Sequence, residues 1–201
     1  PDGTLTMSGA YAVGGLVTEN NYTDTKAHDL TSKTSLRAEF FKNTFRVNAD
    51  FAFTNHQNNE LTKRTVVPYS NAPGVIEYLG TPGADDYLQE YFSNTNYIAA
   101  NAYLEYENTF AKKHYFKAMA GYNYEQQRWK GVTARRYELI TPDTDAINLA
   151  IGESMTVQSN ETRWRVAGFM FRLNYSFDER YLLEVNGRYD GSSKFPTNSQ
   201  W

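Results

Sequence analysis

The chain has 201 residues, a formal net charge of −3 and no cysteine. The absence of cysteine excludes a disulfide-stabilised secreted scaffold and a zinc site with thiolate ligands, and the small net charge argues against nucleic acid as a partner. Mean hydropathy is −0.66, and no apolar run approaches the roughly 18–20 residues of a membrane helix. Aromatic residues make up 15% of the chain, which favours β-strands.

Seven segments alternate apolar and polar residues at every second position, which predicts β-strands with one apolar and one polar face. The clearest is 45–55, where Phe45, Val47, Phe51 and Phe53 fall on one face. The predicted strands, in chain order, are 4–14, 32–41, 45–55, 96–107, 114–127, 161–175 and a seventh that begins at Tyr181.

The connections between these strands alternate between short and long. Most of the predicted strands run ten to fifteen residues, longer than the ~5–6 of soluble sheets and long enough for the ~9–11 of a tilted membrane strand. Tight turns on one rim and long loops on the other are typical of an outer-membrane β-barrel. An ordinary β-sandwich, whose apolar face is core, is the alternative. The short turns are 42–44, 110–113 and 176–180, and the long loops are 15–31, 56–95, 128–160 and 191–201.

One segment carries a more specific signal. Tyr181 to Phe195 has the sequence YLLEVNGRYDGSSKF, and RLNYSFD precedes it at 172–178. Two strands, their acidic turn and a loop entry in this order closely resemble the barrel region of SusC/RagA-type TonB-dependent transporters of Bacteroidetes. Phe177 stands where that family often has Tyr, a mild departure. The resemblance is dense over about 25 residues and general elsewhere.

The resemblance implies an all-β fold, an antiparallel transmembrane β-barrel of 22 strands of which this chain holds about seven. It implies short periplasmic turns, long extracellular loops, and residues 1–201 as part of one barrel domain. It also implies a plug domain and a TonB-engaging segment, neither of which is recognisable here. The chain opens on Pro1-Asp2-Gly3 without a signal segment, and we expect it to be a piece of a longer protein.

The function implied by the resemblance is TonB-dependent import of a nutrient across the bacterial outer membrane. The expected partners are a SusD-type surface lipoprotein, the TonB complex and outer-membrane lipid. The expected substrate is an oligosaccharide, with a peptide as the second choice. A secreted soluble β-sandwich that binds glycans, and a small passive outer-membrane pore, are the alternatives.

The long loop 128–160 contains the best candidates for contact with substrate or partner. Trp129, Arg135, Arg136 and Tyr137 combine flat aromatic faces with bidentate donors, which suit sugar rings or a peptide carboxylate. The same residues could equally pack one loop against another. The strand residues predicted to face the lumen are Asn48, Asp50, Arg163 and Arg172, which could line the lumen itself or merely contact a plug or interstrand water.

No catalytic constellation is present, so we expect no enzyme activity and no cofactor. His28, His56 and His114 lie in none of the metal-ligand spacings, and a solvated or interfacial histidine is the simpler interpretation. Asp85-Asp86 and Asp143-Thr144-Asp145 lie in long loops, where paired carboxylates can bind calcium. A solvated loop is the preferred interpretation, and no metal site is predicted.

Overall fold

The computed structural model describes residues 4–17, 20–42, 44–141, 143 and 145–201. Six long strands of this part of the chain form one sheet in the order β1-β2-β5-β6-β7-β8, and β3 and β4 form a separate small hairpin. The elements are α1 (Met7–Val17), β1 (Tyr22–Phe40), β2 (Phe45–Arg64), β3 (Val67–Tyr69), β4 (Glu77–Leu79), β5 (Tyr87–Phe110), β6 (His114–Tyr137), β7 (Met155–Phe177), β8 (Tyr181–Ser192) and the 3-10 turns Ile147–Leu149 and Thr197–Ser199.

The chain divides into two compact units. The first contains Pro1–His28, Gln57–Asn94 and Lys130–Asn160, and the second contains Asp29–His56, Thr95–Trp129 and Glu161–Trp201. Strands β1, β2, β5, β6 and β7 contribute residues to both units.

The second unit has the two-faced sheet that the alternation predicts. Tyr122 packs against Phe169 with ring centroids 5.0 Å apart, and Phe45 contacts Tyr106 at 4.9 Å. These side chains belong to an apolar face that covers nine to eleven residues of each strand, the length that spans a bilayer (~9–11 residues). The apolar face consists of alternate residues within 45–53, 98–106, 116–124, 167–177 and 181–189, together with a more mixed stretch at 30–40.

The opposite, polar face of this unit is held by charged and amide side chains. Arg46 donates to Glu105 at 2.9 Å and to Glu107 at 2.5 Å. Ser35 donates to Asp50 at 2.6 Å. Ion pairs and hydrogen bonds therefore line one face of this unit, and hydrocarbon lines the other.

The apolar face is exposed rather than buried. Phe171 and Leu183 keep 47% and 60% of their surface accessible. A β-sandwich would cover such a face with a second sheet, and the described residues contain only the small β3-β4 hairpin besides the main sheet. This geometry argues against the sandwich alternative.

Aromatic side chains concentrate beside the short turns, where the interfacial girdle of a barrel lies. The His114 ring lies 5.0 Å from Phe177 and its Nδ1 is 2.7 Å from the Tyr175 hydroxyl. Phe177 stacks on Tyr181 at 6.4 Å. Tyr175 and Tyr181 therefore lie where an interfacial girdle would place them, and the interfacial interpretation of His114 is consistent with the structure.

The predicted short turns at 110–113 and 176–180 are present, and they belong to the second unit. In each of these two turns both central residues have positive φ: Ala111 and Lys112 at 48° and 56°, and Asp178 and Glu179 at 50° and 55°. The hydrogen bond from Lys113 N to Phe110 O, at 3.2 Å, closes the first of these turns. This conformation matches the twist of a tight hairpin. In the turn at 42–44, Asn43 lies outside the described residues.

The prediction of a strand over 4–14 was wrong, because this segment starts the helix α1. Thr6 Oγ1 accepts a hydrogen bond from Gly9 N at 3.2 Å and caps the helix. Ala10 and Gly14, four residues apart, form its buried side. A Cβ on Gly14 would lie 2.5 Å from Val67 Cγ1, so the small residues let α1 pack closely on β3. The alternating apolar residues Met7, Tyr11 and Val13 are exposed, because a repeat of two does not follow one face of a helix.

The predicted long loop 15–31 is likewise shorter than expected, because β1 already starts at Tyr22. The polar stretch at its beginning has no apolar alternation, but pairing with β2 keeps it extended. The main sheet therefore has six strands in the described residues, not seven. Within that part of the chain no helix is long and apolar enough to cross a membrane.

Candidate functional site

The four candidate residues lie in strand β6, not in a loop. β6 extends to Tyr137, so the connection begins ten residues later than predicted. From 129 onwards both faces of the strand mix apolar and polar side chains, and the sequence pattern therefore no longer distinguishes strand from loop. Pairing of β6 with β5 and β7 keeps the segment extended.

Arg135 is the centre of a small cluster in the first unit. Its Nε and Nη2 donate to Gln89 Oε1 at 2.9 and 2.6 Å. Its guanidinium lies 4.3 Å from the centroid of the Tyr87 ring, a cation–π arrangement. Tyr87 in turn meets Tyr137 edge-on at 5.8 Å. We call Tyr87, Gln89, Arg135 and Tyr137 the arginine–tyrosine cluster.

The cluster suits a flat, neutral ligand better than an anion. The two N–H groups of Arg135 that would form a fork for a carboxylate are already used by Gln89. The guanidinium thus holds two tyrosine rings in place, and the rings offer aromatic surface with hydroxyl groups at the rim.

The other two candidates lie apart from this cluster. Arg136 points to the opposite face of β6, where its Nε donates to Gly152 O at 3.2 Å, so it anchors the following connection. Trp129 belongs to the second unit. The structure thus brings Arg135 and Tyr137 together and assigns Arg136 a structural contact.

Tyr87 and Gln89 were missed by the sequence analysis, which assigned 56–95 to a loop. The signal was weak, because Leu88 and Phe92 continue the even-numbered apolar positions of β5 but Glu90 interrupts them. Three prolines lie upstream, at positions 68, 73 and 82, and they favour a loop. The predicted loop therefore continued past Tyr87, where β5 begins.

A groove of about 370 Å³ opens elsewhere in the first unit. Its lining combines apolar side chains with four or more carboxylates and one ammonium group, so the groove suits a polar ligand. It is lined by Asp24, Lys26, Asn59, Glu60, Leu61, Glu90, Tyr91, Phe92, Val132, Ala134 and Asp145.

One wall of this groove is fixed by a buried lysine. Lys63 is only 2% exposed, and its Nζ lies 2.9 Å from Asp145 Oδ1. The Tyr22 hydroxyl donates to the same oxygen at 2.6 Å. Asp145 belongs to the connection 138–154, so this three-residue contact ties that connection to β1 and β2.

The contact shifts the protonation of two groups that lie outside the apolar face. The hydrogen bond from Tyr22, followed by that from Lys63, holds the pKa of Asp145 below its ordinary value. Burial, followed by the bond to Asp145, raises the pKa of Tyr22 to about 12. Both shifts keep the charged carboxylate beside a protonated phenol at neutral pH.

The start and end of the same connection are joined at Gly152. Its N–H donates to Tyr137 O at 3.1 Å, and a Cβ on Gly152 would lie 2.7 Å from that backbone oxygen. We expect Gly152→Ala to cost about 1–2 kcal/mol of local stability, because a backbone atom cannot move aside as a side chain does. Faster proteolysis of 138–154 measures the effect. Gly15→Ala, whose Cβ would meet only Asn21 at 3.8 Å and whose φ, like that of Gly152, is not positive, is the control, and cleavage at 138–154 as slow as in that variant would contradict the prediction.

The loop carboxylates considered for calcium have protein partners. Asp86 accepts from Leu139 N at 3.1 Å and from Gly83 N, and Asp85 accepts from Thr81 N at 2.7 Å. These are turn-stabilising bonds. Thr144 lies outside the described residues. Within the described part of the chain, no group of three or more His, Asp or Glu residues is placed to hold a metal ion.

Comparison with known proteins places this geometry in context. No family model matches the chain. A TonB-dependent receptor, P26 of Formosa agariphila, is 25% identical over 100 residues, which is 49% of this chain and 10% of that protein. The proteins that the chain matches are described as a receptor and a transporter rather than as enzymes.

Solved structures match over almost the whole chain. The RagAB peptide transporter superposes with a TM-score of 0.77 at 18% identity, over 92% of this chain and 20% of that chain. The RagAB importer in its "open-open" state gives a TM-score of 0.76 at 18% identity, over 92% and 19%. The chain therefore spans a tenth to a fifth of the length of these proteins. The likeness confirms the resemblance to SusC/RagA-type transporters and the antiparallel barrel-type fold.

Proposed function

We propose that this chain, which has the fold of a SusC/RagA-type barrel wall, forms part of one barrel domain of a TonB-dependent nutrient importer in the bacterial outer membrane. The observation that carries the proposal is the exposed apolar face of nine to eleven residues per strand, opposite a face held by ion pairs. A wall between lipid and a polar lumen needs one apolar and one polar face of this kind.

The proposed transport cycle uses parts that the resemblance implies. A SusD-type lipoprotein delivers substrate to the mouth of the barrel, and a plug inside the lumen blocks free diffusion. Force from the TonB complex then displaces part of the plug. The residues described here contribute the wall and the connections 65–86 and 138–154, which in the proposed orientation face outside.

We further propose an oligosaccharide as the substrate and the arginine–tyrosine cluster as a contact site. Two tyrosine rings held by Arg135, whose fork is occupied by Gln89, offer the flat surface on which a sugar ring packs. A peptide is the second candidate, favoured by the similarity to the RagAB peptide transporter. The proposed roles of Trp129 and Arg136 are a partner contact and support of the connection 138–154.

An uptake experiment tests the proposal with the full-length protein in its own cells. We expect accumulation of labelled oligosaccharide to stop when TonB is deleted, because a passive pore would not need it. Tyr87→Ala should lower oligosaccharide binding several-fold, since about 0.5–1.5 kcal/mol of aromatic packing is lost. Tyr78→Ala, an exposed tyrosine of β4, is the matched control.

The outcomes separate the candidate functions. Uptake that does not depend on TonB would indicate a passive pore instead of an importer. Loss of labelled peptide uptake in Tyr87→Ala, with oligosaccharide unaffected, would make peptide the substrate. Unchanged uptake of both would remove the cluster from the substrate path. Fractionation of the protein away from the outer membrane would contradict the whole proposal.

A further inference from the structure

Three arginines lie beside the apolar face of the second unit, on strands β6 and β7. Arg128 is neutralised, because its Nε and Nη2 donate to the two oxygens of Glu161 at 2.7 and 3.0 Å. Arg163 and Arg165 have no carboxylate within ion-pair distance among the described residues. Arg163 was predicted to face the lumen, and this was wrong, since it lies on the same face as Arg165 and Gln126.

Arg163 and Arg165 share a single neutral acceptor. Arg163 Nη2 and Arg165 Nε each lie 2.9 Å from Gln126 Oε1. The Tyr124 hydroxyl points to the same oxygen at 3.1 Å. An amide oxygen has two lone pairs, so three donors exceed what it can accept. Two like charges are thus held close together with too few acceptors between them.

The pair is exposed and directly continues the apolar face. On β6 the apolar positions end at Tyr124, two residues before Gln126, and on β7 they begin at Ala167, two residues after Arg165. Both strands have a neighbour on each side in the sheet, so this position is not a sheet edge. A ligand here meets two guanidinium groups at one end and hydrocarbon at the other.

We propose that Arg163, Arg165 and Gln126 bind the phosphate of a phosphorylated lipid whose acyl chains lie along the apolar face. Phosphate oxygens supply the acceptors that the two guanidinium groups lack and match their planar N–H geometry. A free anion would use the arginines but not the adjoining apolar side chains. The inference rests on the membrane placement proposed above, and in that orientation the lipid belongs to the outer leaflet.

The test measures lipid bound to the full-length protein in dodecyl maltoside by native mass spectrometry. The probe is monophosphoryl lipid A, compared with its dephosphorylated form and with inorganic phosphate. We expect phosphate-dependent lipid binding that falls at least about tenfold in the double variant Arg163→Gln/Arg165→Gln, as expected when two charge-assisted hydrogen bonds are lost. Arg172→Gln, on the opposite face of β7 beside Glu184, should bind like the wild type.

A second variant separates binding from folding. Gln126→Glu gives both arginines a carboxylate, so it should weaken lipid binding by a similar factor. The temperature at which the protein unfolds, followed by its band shift on electrophoresis, should stay the same or rise. Equal binding of the dephosphorylated lipid, full competition by inorganic phosphate, unchanged binding in both site variants, or an equal loss in Arg172→Gln would each overturn the inference. This experiment measures lipid binding and not uptake, so a failure of the import proposal would not change its result. If the protein lies in the outer membrane but binds lipid without selectivity for phosphate, only this inference is overturned.

Discussion

Arginine in place of Phe171 is expected to lower the free energy of unfolding in lipid vesicles by about 2–4 kcal/mol, the cost of a cation near the bilayer midplane. Phe171 lies in the middle of the apolar stretch of β7, opposite Gly187 of β8. Its ring covers that glycine, where a Cβ would lie 2.6 Å from Phe171 Cε1. A charged side chain at this position has no polar partner on its own face.

The matched control is Asn174→Arg on the same strand. Asn174 pairs across the sheet with Glu184 on the polar face, so a cation there gains a partner and should cost less than about 1 kcal/mol. Denaturant unfolding of the full-length protein in vesicles measures both variants. Equal costs, or water access to a spin label at position 171, would contradict the membrane-facing assignment.

Replacing Asp145 by alanine is expected to cost about 2 kcal/mol and to release the connection 138–154. The change leaves the ammonium group of Lys63 buried without its carboxylate, and breaking a fully buried pair costs about 3–5 kcal/mol. Asp145 is 54% exposed, so solvent already screens part of the attraction. Hydrogen exchange of residues 145–152 measures the release.

A double variant isolates the buried charge as the cause. Lys63→Met with Asp145→Ala removes both charges and keeps the volume of the buried chain, so it should be more stable than Asp145→Ala alone. If the double variant is as unstable as the single one, the buried ammonium group is not responsible.

The same contact predicts sensitivity to pH at both extremes. The lowered pKa of Asp145 stabilises the fold above the unfolded value of about 3.9, and this contribution is lost as pH falls through the folded value. The raised pKa of Tyr22 acts in the opposite direction, with stability present below about pH 10 and lost towards pH 12. Tyr22→Phe should release 138–154 at a higher pH on acidification, measured by limited proteolysis, whereas Tyr78→Phe should not.

Local alternation was sufficient to identify the faces of the second unit. Phe45, Tyr122, Phe169 and Leu183 could be assigned to one surface because side-chain direction in a strand depends only on position parity. The turns at 110–113 and 176–180 were predicted for a related reason, since each separates two alternating segments by a few polar residues. Such features are local, and sequence carries them directly.

The alternation of apolar and polar residues did not predict the strands where both of their faces become polar. The strand ends at 22–29, 87–95 and 129–137 were assigned to loops because neither face keeps an apolar stripe there. Their extended conformation comes from hydrogen bonding to neighbouring strands, which a single segment does not reveal. The four candidates from Trp129 to Tyr137 were consequently placed in a loop, and Tyr87 and Gln89 were not recognised as partners of Arg135.

The amino-acid sequence by itself determined the two-faced strands, the alternation of short and long connections between them, and the resemblance carried by Tyr181 to Phe195. Only the tertiary structure decided that Met7–Val17 is a helix, that Lys63 is buried against Asp145, and that Arg163 and Arg165 share Gln126. The physical reason is the distance along the chain between the interacting residues. Strand periodicity depends on neighbouring residues, whereas Lys63 and Asp145 are 82 residues apart and Arg163 and Gln126 are 37 apart.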